Sequence, residues 1–326
     1  MSAERATTKP ATPLGSPLGS PAWGGFDPSR TRGRGFSDTW RSFVTAARLG
    51  WQMEANWTDP ILFLIYSVAK PLSSTLIFVV MVEVIGGAGT ASLRAFVVIG
   101  TALWSLVLSG IAGLAWSILD DRERYRMLRY IYVSPNSFVV MLLGRGVARI
   151  AVGAMGTLIT LGVGIAVLGV SFDLGAVDWL LLGAVLVLGL VSIMAIGMIL
   201  AAVCVQSRQE SWHYPEAVAG ALFLISGAVF PLSALPAPVQ VIGWGMPLTW
   251  WIEGVRHALF PGGVSGIGGP GSLFASFTGR SVPAAYEIVV ALLVTGALAT
   301  LAAAIIFRIS ERRAKNRGLL DQTTGS

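Results

Sequence analysis

Charge is the property that this sequence has least of. Only 12% of its 326 residues are charged, whereas 54% are hydrophobic, and a soluble domain usually carries about twice that charge. Several apolar runs reach the roughly 20 residues that span a bilayer. The composition excludes an ordinary soluble domain and predicts an all-α, multi-pass membrane protein. The net charge of +6 sits in loops between the apolar runs, so no nucleic-acid partner is expected.

Lysine, cysteine and histidine are also scarce, and each scarcity removes a class of chemistry. A phosphate-binding loop needs GxxxxGK[ST], because its backbone amides and its lysine hold the phosphates. The lysines, Lys9, Lys70 and Lys315, precede Pro, Pro and Asn, so we expect no nucleotide site in this chain. The single cysteine, Cys204, excludes an internal disulfide. The two histidines form no metal-binding pattern, and no cofactor is expected in the chain itself.

Six apolar runs are predicted to cross the membrane. They cover about residues 60–84, 93–119, a stretch within 138–170, 179–205, 214–232 and 284–307. Residues 1–36 are rich in Pro, Gly, Ser and Thr and are predicted to be a disordered tail. No cleavable signal peptide is apparent, so we expect the first run to stay as an anchor. The six-span domain is predicted to cover 58–308, and a basic tail 309–326.

The basic residues predict the orientation of these spans. With the N-terminus inside, the segments 1–59, 119–149, 206–213 and 308–326 are inside, and they hold 19 of the 23 Lys and Arg residues. We therefore expect both termini to be cytoplasmic, in a plasma (inner) membrane.

An amphipathic helix is predicted over residues 37–57. One helical face carries Trp40, Phe43, Val44, Ala47 and Trp51. Arg41, Thr45, Arg48 and Gln52 fall elsewhere. This pattern predicts a helix in the cytoplasmic interface of the membrane, in contact with lipids. The alternative is a helix that packs on another part of the protein.

About 50 residues, roughly 233–283, lie between the last two predicted spans, and their first part belongs to the apolar run FPLSALPAPVQVIGWGMPLTWWIEGVRHALF, residues 230–260. Its two short helical stretches cannot cross a bilayer, so they are predicted to be re-entrant or to lie at the outer surface. A Gly-rich loop follows. It contains Gly263-Val264-Ser265-Gly266, the GxSG pattern of an intramembrane serine protease, which carries little weight among so many glycines.

Lys70 stands near the middle of the first predicted span and precedes Pro71. A charge at that depth costs at least about 2.5–3.5 kcal/mol on insertion scales. One interpretation is a contact in a conduit or at a subunit interface. The other is that Pro71 breaks the helix and that Lys70 snorkels or binds a freed carbonyl.

The stretch DRERYRMLRYIYVSPNSF (Asp120–Phe138) concentrates charge between the second and third spans. Its acidic residues are predicted to begin a short helix over about 120–135, where they suit the helix dipole. The apolar stripe of that helix consists of Met127, Leu128, Ile131 and Tyr132. Such a helix suits docking in a groove of a soluble partner. The alternative is a solvated, positive-inside loop.

Three motifs together resemble the permease subunit of ABC exporters of the type-2 permease family, which have the type V exporter fold. DRERYRMLRYIYVSP with the following Gly144-Arg145 is similar to the family's acid-and-Arg run that ends in Ser-Pro. TDPILFLIYSVAKPL is similar to the start of the family's first span, with its mid-span Pro. FPLSALP followed by MPLTWWIEGVRHALF is similar to the family's Pro-Leu-Thr segment and the Glu and Arg after it. The resemblance covers roughly residues 37–315.

The resemblance implies an interface helix, six spans, a cytoplasmic coupling helix between spans two and three, and two short outer helices between spans five and six. It implies two copies of an ABC ATPase subunit, which bind ATP and Mg²⁺, and a second permease in a homodimer or heterodimer. The implied ATPase contacts are Glu123, Arg124, Tyr125, Arg126 and Arg129. The interface-helix candidates are Trp40, Arg41, Phe43, Arg48 and Trp51. The conduit or dimer candidates are Lys70 and Pro71, and the outer-gate candidates are Pro247, Trp250, Trp251, Glu253 and Arg256.

The resemblance also implies the function: a transport subunit, not an enzyme, that exports a drug, a lipid or a lipid-linked glycan at the expense of ATP on its partner. A secondary carrier is the alternative within transport, but the spans offer few candidates beyond Lys70 for a coupling-ion site. An intramembrane enzyme would have to use His257 and Ser265. A non-catalytic scaffold stays open.

Overall fold

The computed structural model describes residues 36–55, 60–86, 91–133, 137–167, 169–170, 173–207, 212–269 and 271–316. Residues 1–35 of the predicted disordered tail lie outside the described residues. Residues 317–326 of the predicted basic tail also lie outside them. Across the described residues, every regular element is helical. The all-α prediction is therefore confirmed.

Eleven α-helices follow one another along the described chain. They are α1 (Phe36–Ala55), α2 (Pro60–Gly86), α3 (Ala91–Leu119), α4 (Leu128–Val133), α5 (Phe138–Ala166), α6 (Trp179–Gln206), α7 (Tyr214–Ile225), α8 (Ala237–Gly245), α9 (Pro247–Leu259), α10 (Leu273–Thr278) and α11 (Ala285–Asn316).

Four stretches of the described helices are long and apolar enough to cross a membrane. They are Leu93–Arg124, Phe138–Ala166, Trp179–Gln206 and Ala285–Asn316. Two shorter apolar stretches, Leu72–Met81 within α2 and Tyr214–Ile225, accompany them. A multi-pass membrane protein is thereby confirmed, whereas the count of six spans stays a prediction.

The fifth predicted span is shorter in the structure than the sequence pattern indicates. Helix α7 ends at Ile225 and not near Leu232, and Gly227 follows with a left-handed backbone at φ 72°. Twelve residues rise about 18 Å, less than the roughly 30 Å of a hydrocarbon core. The chain instead turns through a 3₁₀ segment, Leu232–Ala234, into α8 and α9.

Helix α3 is the centre of the bundle, where it contacts α2, α5, α6 and α7. Small residues let its backbone approach that of α6. A Cβ on Gly197 of α6 would lie 2.7 Å from Leu114 Cδ1 and 2.9 Å from the carbonyl oxygen of Gly110. A larger residue there would separate the two helices, which is the reason for glycine at such membrane helix crossings.

Helix α9 is buried between α6 and α11. Two glycines make room for it: a Cβ on Gly189 would overlap the indole of Trp251, and one on Gly254 would lie 2.9 Å from Val185 Cγ1. The amide of Asp178, before α6, donates to the carbonyl of Ala258 at 3.0 Å. Helix α9 is therefore buried within the protein, and whether the segment is re-entrant or lies at the outer membrane surface stays a prediction. Helix α8, in contrast, exposes apolar side chains such as Val241.

Helix α1 packs on the first turns of α5. A Cβ on Gly144 would lie 2.6 Å from the carbonyl oxygen of Phe43, and one on Gly50 would lie 3.1 Å from Ala148 Cβ. Of the predicted helix over residues 37–57, positions 37–55 lie in α1 and positions 56–57 lie outside the described residues. Its position in a membrane interface stays a prediction.

The predicted apolar face of α1 divides between two environments. Phe43 and Ala47 are half-buried towards the protein. Trp40, Val44 and Trp51 are 56%, 46% and 40% exposed. The helix therefore packs on the protein through small residues and leaves an adjacent apolar stripe uncovered, with the candidates Arg41 and Arg48 also exposed.

Two ends of the bundle carry the candidate sites. The basic end carries α1, the Asp120–Val133 segment and the last turns of α11. The opposite end carries Phe96, the last turn of α9 and the loop that follows it.

Candidate functional site

The Asp120–Val133 segment at the basic end is not the single helix that the sequence pattern predicts. Asp120–Arg124 prolongs α3 as a π-helical turn, in which the amide of Tyr125 donates to the carbonyl of Asp120 at 2.8 Å. Arg126 then takes a left-handed backbone, φ 50°, which ends the turn, and the six-residue α4 follows. The predicted N-terminal acids of the coupling helix are therefore the C-terminal end of α3.

Ion pairs explain why these acids stay with α3. Asp121 is buried and pairs with Arg145 of α5. Arg149, one turn further along α5, pairs with Asp120 at 3.0 Å and with Glu54 of α1 at 2.8 Å. The end of α3 is thereby tied to both α5 and α1.

Arg122 ties the same turn to α6. Its side chain is buried, and its Nη1 donates to the carbonyls of Cys204 at 3.1 Å and of Ser207 at 2.8 Å, at the C-terminal end of α6. Those carbonyls belong to the last turn of a helix, where no amide of the helix reaches them. Its Nε donates to Glu123 at 2.7 Å. Arg122 thus caps one helix and holds another.

The predicted ATPase contacts divide into exposed and tethered residues. Arg124, Tyr125 and Arg126 are exposed, whereas Glu123 is half-buried against Arg122. The side chain of Arg129 lies outside the described residues. Met127, next to the three exposed residues, is 40% exposed. The exposed residues form a tip, residues 124–127, on a base (residues 120–123) that is bound directly to α5 and α6 and through Arg149 to α1.

Arg256 organises the opposite end of the bundle. It is buried, and its two terminal nitrogens donate to the carbonyls of Gly227 at 2.9 Å, Ala228 at 2.5 Å and Phe96 at 3.1 Å. Its Cζ lies 3.5 Å from the centre of the Phe96 ring. The guanidinium of Arg256 therefore binds two carbonyls just beyond the end of α7 and one carbonyl of α3. It thereby joins α7 and α3 to α9.

Glu253, one turn before Arg256, holds the loop that follows α9. Its buried carboxylate accepts hydrogen bonds from the hydroxyl of Ser265 and from the amide of Gly266, the latter at 2.7 Å. The Ser265 oxygen accepts in turn from the amide of Gly268 at 2.9 Å. Ser265, the serine of the GxSG pattern, donates its hydroxyl proton to Glu253 and accepts from Gly268. These bonds anchor the loop that follows α9.

The outer-gate candidates all lie in this buried helix. Pro247, Trp250, Trp251, Glu253 and Arg256 are buried. The indole of Trp250 donates to the carbonyl of Trp244 at 2.8 Å, which joins α9 to α8. The structure thus brings the candidates together as one packed unit that includes the loop after α9.

Each end of the bundle contains a cavity. At the opposite end, a cavity of about 520 Å³ lies between the start of α3, the loop before α6, the last turns of α9 and the loop after it. At the basic end, a cavity of about 240 Å³ is lined by Trp116, Trp212 and the charged groups around Arg149. Lys70 and Pro71 stand in α2, but their side chains lie outside the described residues.

Sequence reasoning missed several residues that the structure places in these sites. Arg145 was noticed only as part of a motif, and Asp121 only as part of a run of acids. Nothing in the sequence pointed to Phe96, Arg149 or Ser265 as partners of charged groups, because partners on different helices have no fixed spacing along the chain.

The match to a known family covers the Asp120–Val133 segment and α9, but not the loop after α9. The model of the ABC-2 type transporter family matches residues 46–260, from within α1 to just beyond α9, which is more than half of the chain. The comparison with curated proteins gave no match. Permeases of this family generally work with a separate ABC ATPase and are not themselves ATPases. The chain therefore belongs to the ABC-2 type transporter family, as a transmembrane permease component of an ABC transporter.

Proposed function

We propose that this permease exports a hydrophobic or amphipathic substrate, driven by ATP that two copies of a separate ATPase subunit hydrolyse. A second permease completes the assembly as a homodimer or heterodimer, and the basic end, with both termini, faces the cytoplasm. Substrate passes between the two permeases and leaves at the opposite end.

The observation that carries the proposal is the exposed tip of the Asp120–Val133 segment. Arg124, Tyr125 and Arg126 are exposed, while the residues directly before them are bound to α5 and to the end of α6, and through Arg149 to α1. A partner that moves this tip pulls on α3 directly. It also pulls on α5 through Asp121 and on α6 through Arg122. Such a rigid base under an exposed tip supports a role in which a soluble subunit transmits force to the bundle.

The strained backbone of Arg126 supports a docking role for the tip over that of a solvated loop. Arg126 is held in a left-handed conformation, which costs a non-glycine residue about 1–3 kcal/mol. A loop whose only task is to connect two helices gains nothing from that strain. The turn instead exposes two arginine side chains and Tyr125 together.

The second permease is supported by the uncovered face of α7. Ala217, Gly220, Ala221 and Leu224 of this short helix are exposed, and a Cβ on Gly220 would meet no atom within 4 Å. Small side chains on an open face suit close packing against another helix in a membrane. A helix too short to cross a bilayer also needs neighbours that shield its ends.

The test is a mild-detergent pull-down of the tagged chain from its native host, followed by assays of ATP hydrolysis and transport. A soluble ABC ATPase is expected to co-purify in near-stoichiometric amount. Reversing two charges with Arg124→Glu and Arg126→Glu should abolish substrate-dependent ATP hydrolysis and transport, because the tip would repel the surface that it docks on.

The matched control is the double substitution Arg312→Glu and Arg313→Glu, which changes the charge equally at two exposed positions of α11. Both variants should reach the membrane in normal amount. Transport that survives the reversal at Arg124 and Arg126 would contradict the coupling role. Purification without any ATPase would contradict the ATP-driven proposal and favour a secondary carrier.

A further inference from the structure

We infer that the cavity at the opposite end binds an amphipathic organic cation with one positive charge and the size of a drug molecule. This inference deepens the proposed export function by naming the class of substrate. It rests on the shape of the cavity, on the charges in its wall and on the anchoring of the loop that closes it.

The wall of the cavity is mainly apolar. Phe96 and Ile99 of α3 face Leu259 and Phe260 at the end of α9, and Val264 of the following loop lies at the exposed margin. Its volume of about 520 Å³ falls within the roughly 300–1,000 Å³ of drug-sized sites. A lipid-linked glycan exceeds that volume several times over, so the cavity favours the smallest of the substrate classes considered.

The charged groups in the wall favour a cation. Two carboxylates, Asp173 and Glu253, face one guanidinium, Arg256, so the formal charge of the lining is −1 with His257 neutral. Arg256 already donates to three carbonyl oxygens and lies against the Phe96 ring. Asp173 is exposed at the margin of the cavity, and its Oδ1 accepts a hydrogen bond from the amide of Gly175 at 2.9 Å. An entering ligand therefore meets the Asp173 carboxylate at the mouth, whereas Glu253 and Arg256 are both buried and hydrogen-bonded to the protein.

The cavity is preformed, which reduces the cost of binding. Ser265 and Gly266 of the closing loop are bound to Glu253. A Cβ on Gly266 would lie 2.8 Å from Arg256 Nη1 and 3.1 Å from Glu253 Oε2. The loop thus approaches the charged pair as closely as a glycine allows, and it holds one wall of the cavity in place before any ligand arrives.

Tetraphenylphosphonium and tetraphenylborate test the inference as a matched pair, because the two ions have nearly the same shape and opposite charge. Equilibrium dialysis of each radiolabelled ion against the purified permease in lipid nanodiscs, with empty nanodiscs subtracted, needs no ATP and no ATPase. With each ion measured in a separate dialysis, we expect saturable binding of tetraphenylphosphonium, one per protomer, and no saturable binding of tetraphenylborate.

Two pairs of variants locate the binding. Val264→Trp fills the mouth of the cavity and should reduce binding at least tenfold, whereas Val241→Trp, an exposed valine of α8 outside the cavity wall, should not change it. Asp173→Asn should weaken binding by up to about fivefold, as an exposed charge pair allows, whereas Asp38→Asn on α1 should not.

The results separate this inference from the proposed function. Equal binding of both ions, preferential binding of tetraphenylborate, or unchanged binding to Val264→Trp would overturn the cation site, even if an ATPase co-purifies. Binding with the expected charge preference and loss in Val264→Trp would support the site, even if no ATPase is found.

Discussion

At the scale of the residue, the opposite end of the bundle depends on one buried arginine. The carbonyls of Gly227 and Ala228 follow the end of α7, so no helical amide reaches them, and both residues are buried. Arg256 satisfies both and reaches Phe96 of α3 with the same guanidinium. The planar fork of arginine makes three separate bonds from one side chain, which the single ammonium of lysine does not reproduce.

Arg256→Lys should therefore destabilise the protein although the charge is kept. We expect a loss of about 2–4 kcal/mol, because carbonyl oxygens that are buried lose their donors. Thermal unfolding of the purified protein, followed by tryptophan fluorescence, measures it. Arg280→Lys is the matched control, since Arg280 is an exposed partner of Glu287 and its replacement should hardly change the unfolding temperature. An equal shift in both variants would contradict the role given to Arg256.

At the scale of the element, α1 and α5 are joined at glycines and by one ion pair. The helices meet where Gly144 faces the backbone of Phe43, and Arg149 reaches Glu54 near the end of α1. The same Arg149 binds Asp120 at the end of α3. Helix α1 is therefore connected to the segment that carries the exposed tip, and the three elements form one unit at the basic end.

Gly144→Val should detach α1 from this unit. The added side chain would collide with the backbone of α1, whose nearest atom would lie 2.6 Å from its Cβ. Hydrogen exchange of the α1 amides should become about tenfold faster or more, because a helix without tertiary contacts opens readily. Gly162→Val is the control in the same helix, since a Cβ there meets no atom within 4 Å. Unchanged exchange in Gly144→Val would show that this contact does not hold α1.

At the scale of the whole molecule, the basic residues separate the two ends. Arg122, Arg145, Arg149 and the arginines of α11 collect at the basic end. At the opposite end, Arg256 is buried, and Arg94 and Arg280 are paired with Glu83 and Glu287. This asymmetry predicts that the basic end faces the cytoplasm.

Cysteine labelling in intact cells tests that orientation. Cys204 is buried and is the one cysteine of the sequence, so Cys204→Ala gives a background without thiols. A membrane-impermeant maleimide should label Ser276→Cys on α10 and should not label Thr45→Cys on α1 until the cells are permeabilised. Both positions are exposed. Labelling in the reverse order would invert the topology.

The extent to which sequence predicted structure differs between elements for physical reasons. Helices α3, α6 and α11 were predictable, because long apolar runs with few charges have one stable form in a bilayer. The end of α7 was not, because Gly227 takes a left-handed backbone that the apolar run does not reveal. The coupling segment was predicted as one helix, but Asp121 and Arg122 find partners on α5 and α6 and keep the turn attached to α3.

By itself, the sequence determined that the chain is a helical membrane protein, that it lacks a phosphate-binding loop, and which segments carry its basic residues, because these depend on composition and local pattern. Only the tertiary structure decided that α9 is buried, that Ser265 binds Glu253, and that Arg149 joins three helices. Those facts depend on which side chains meet across helices, and residues as distant as Phe96 and Arg256 leave no trace of their contact in the order of the chain.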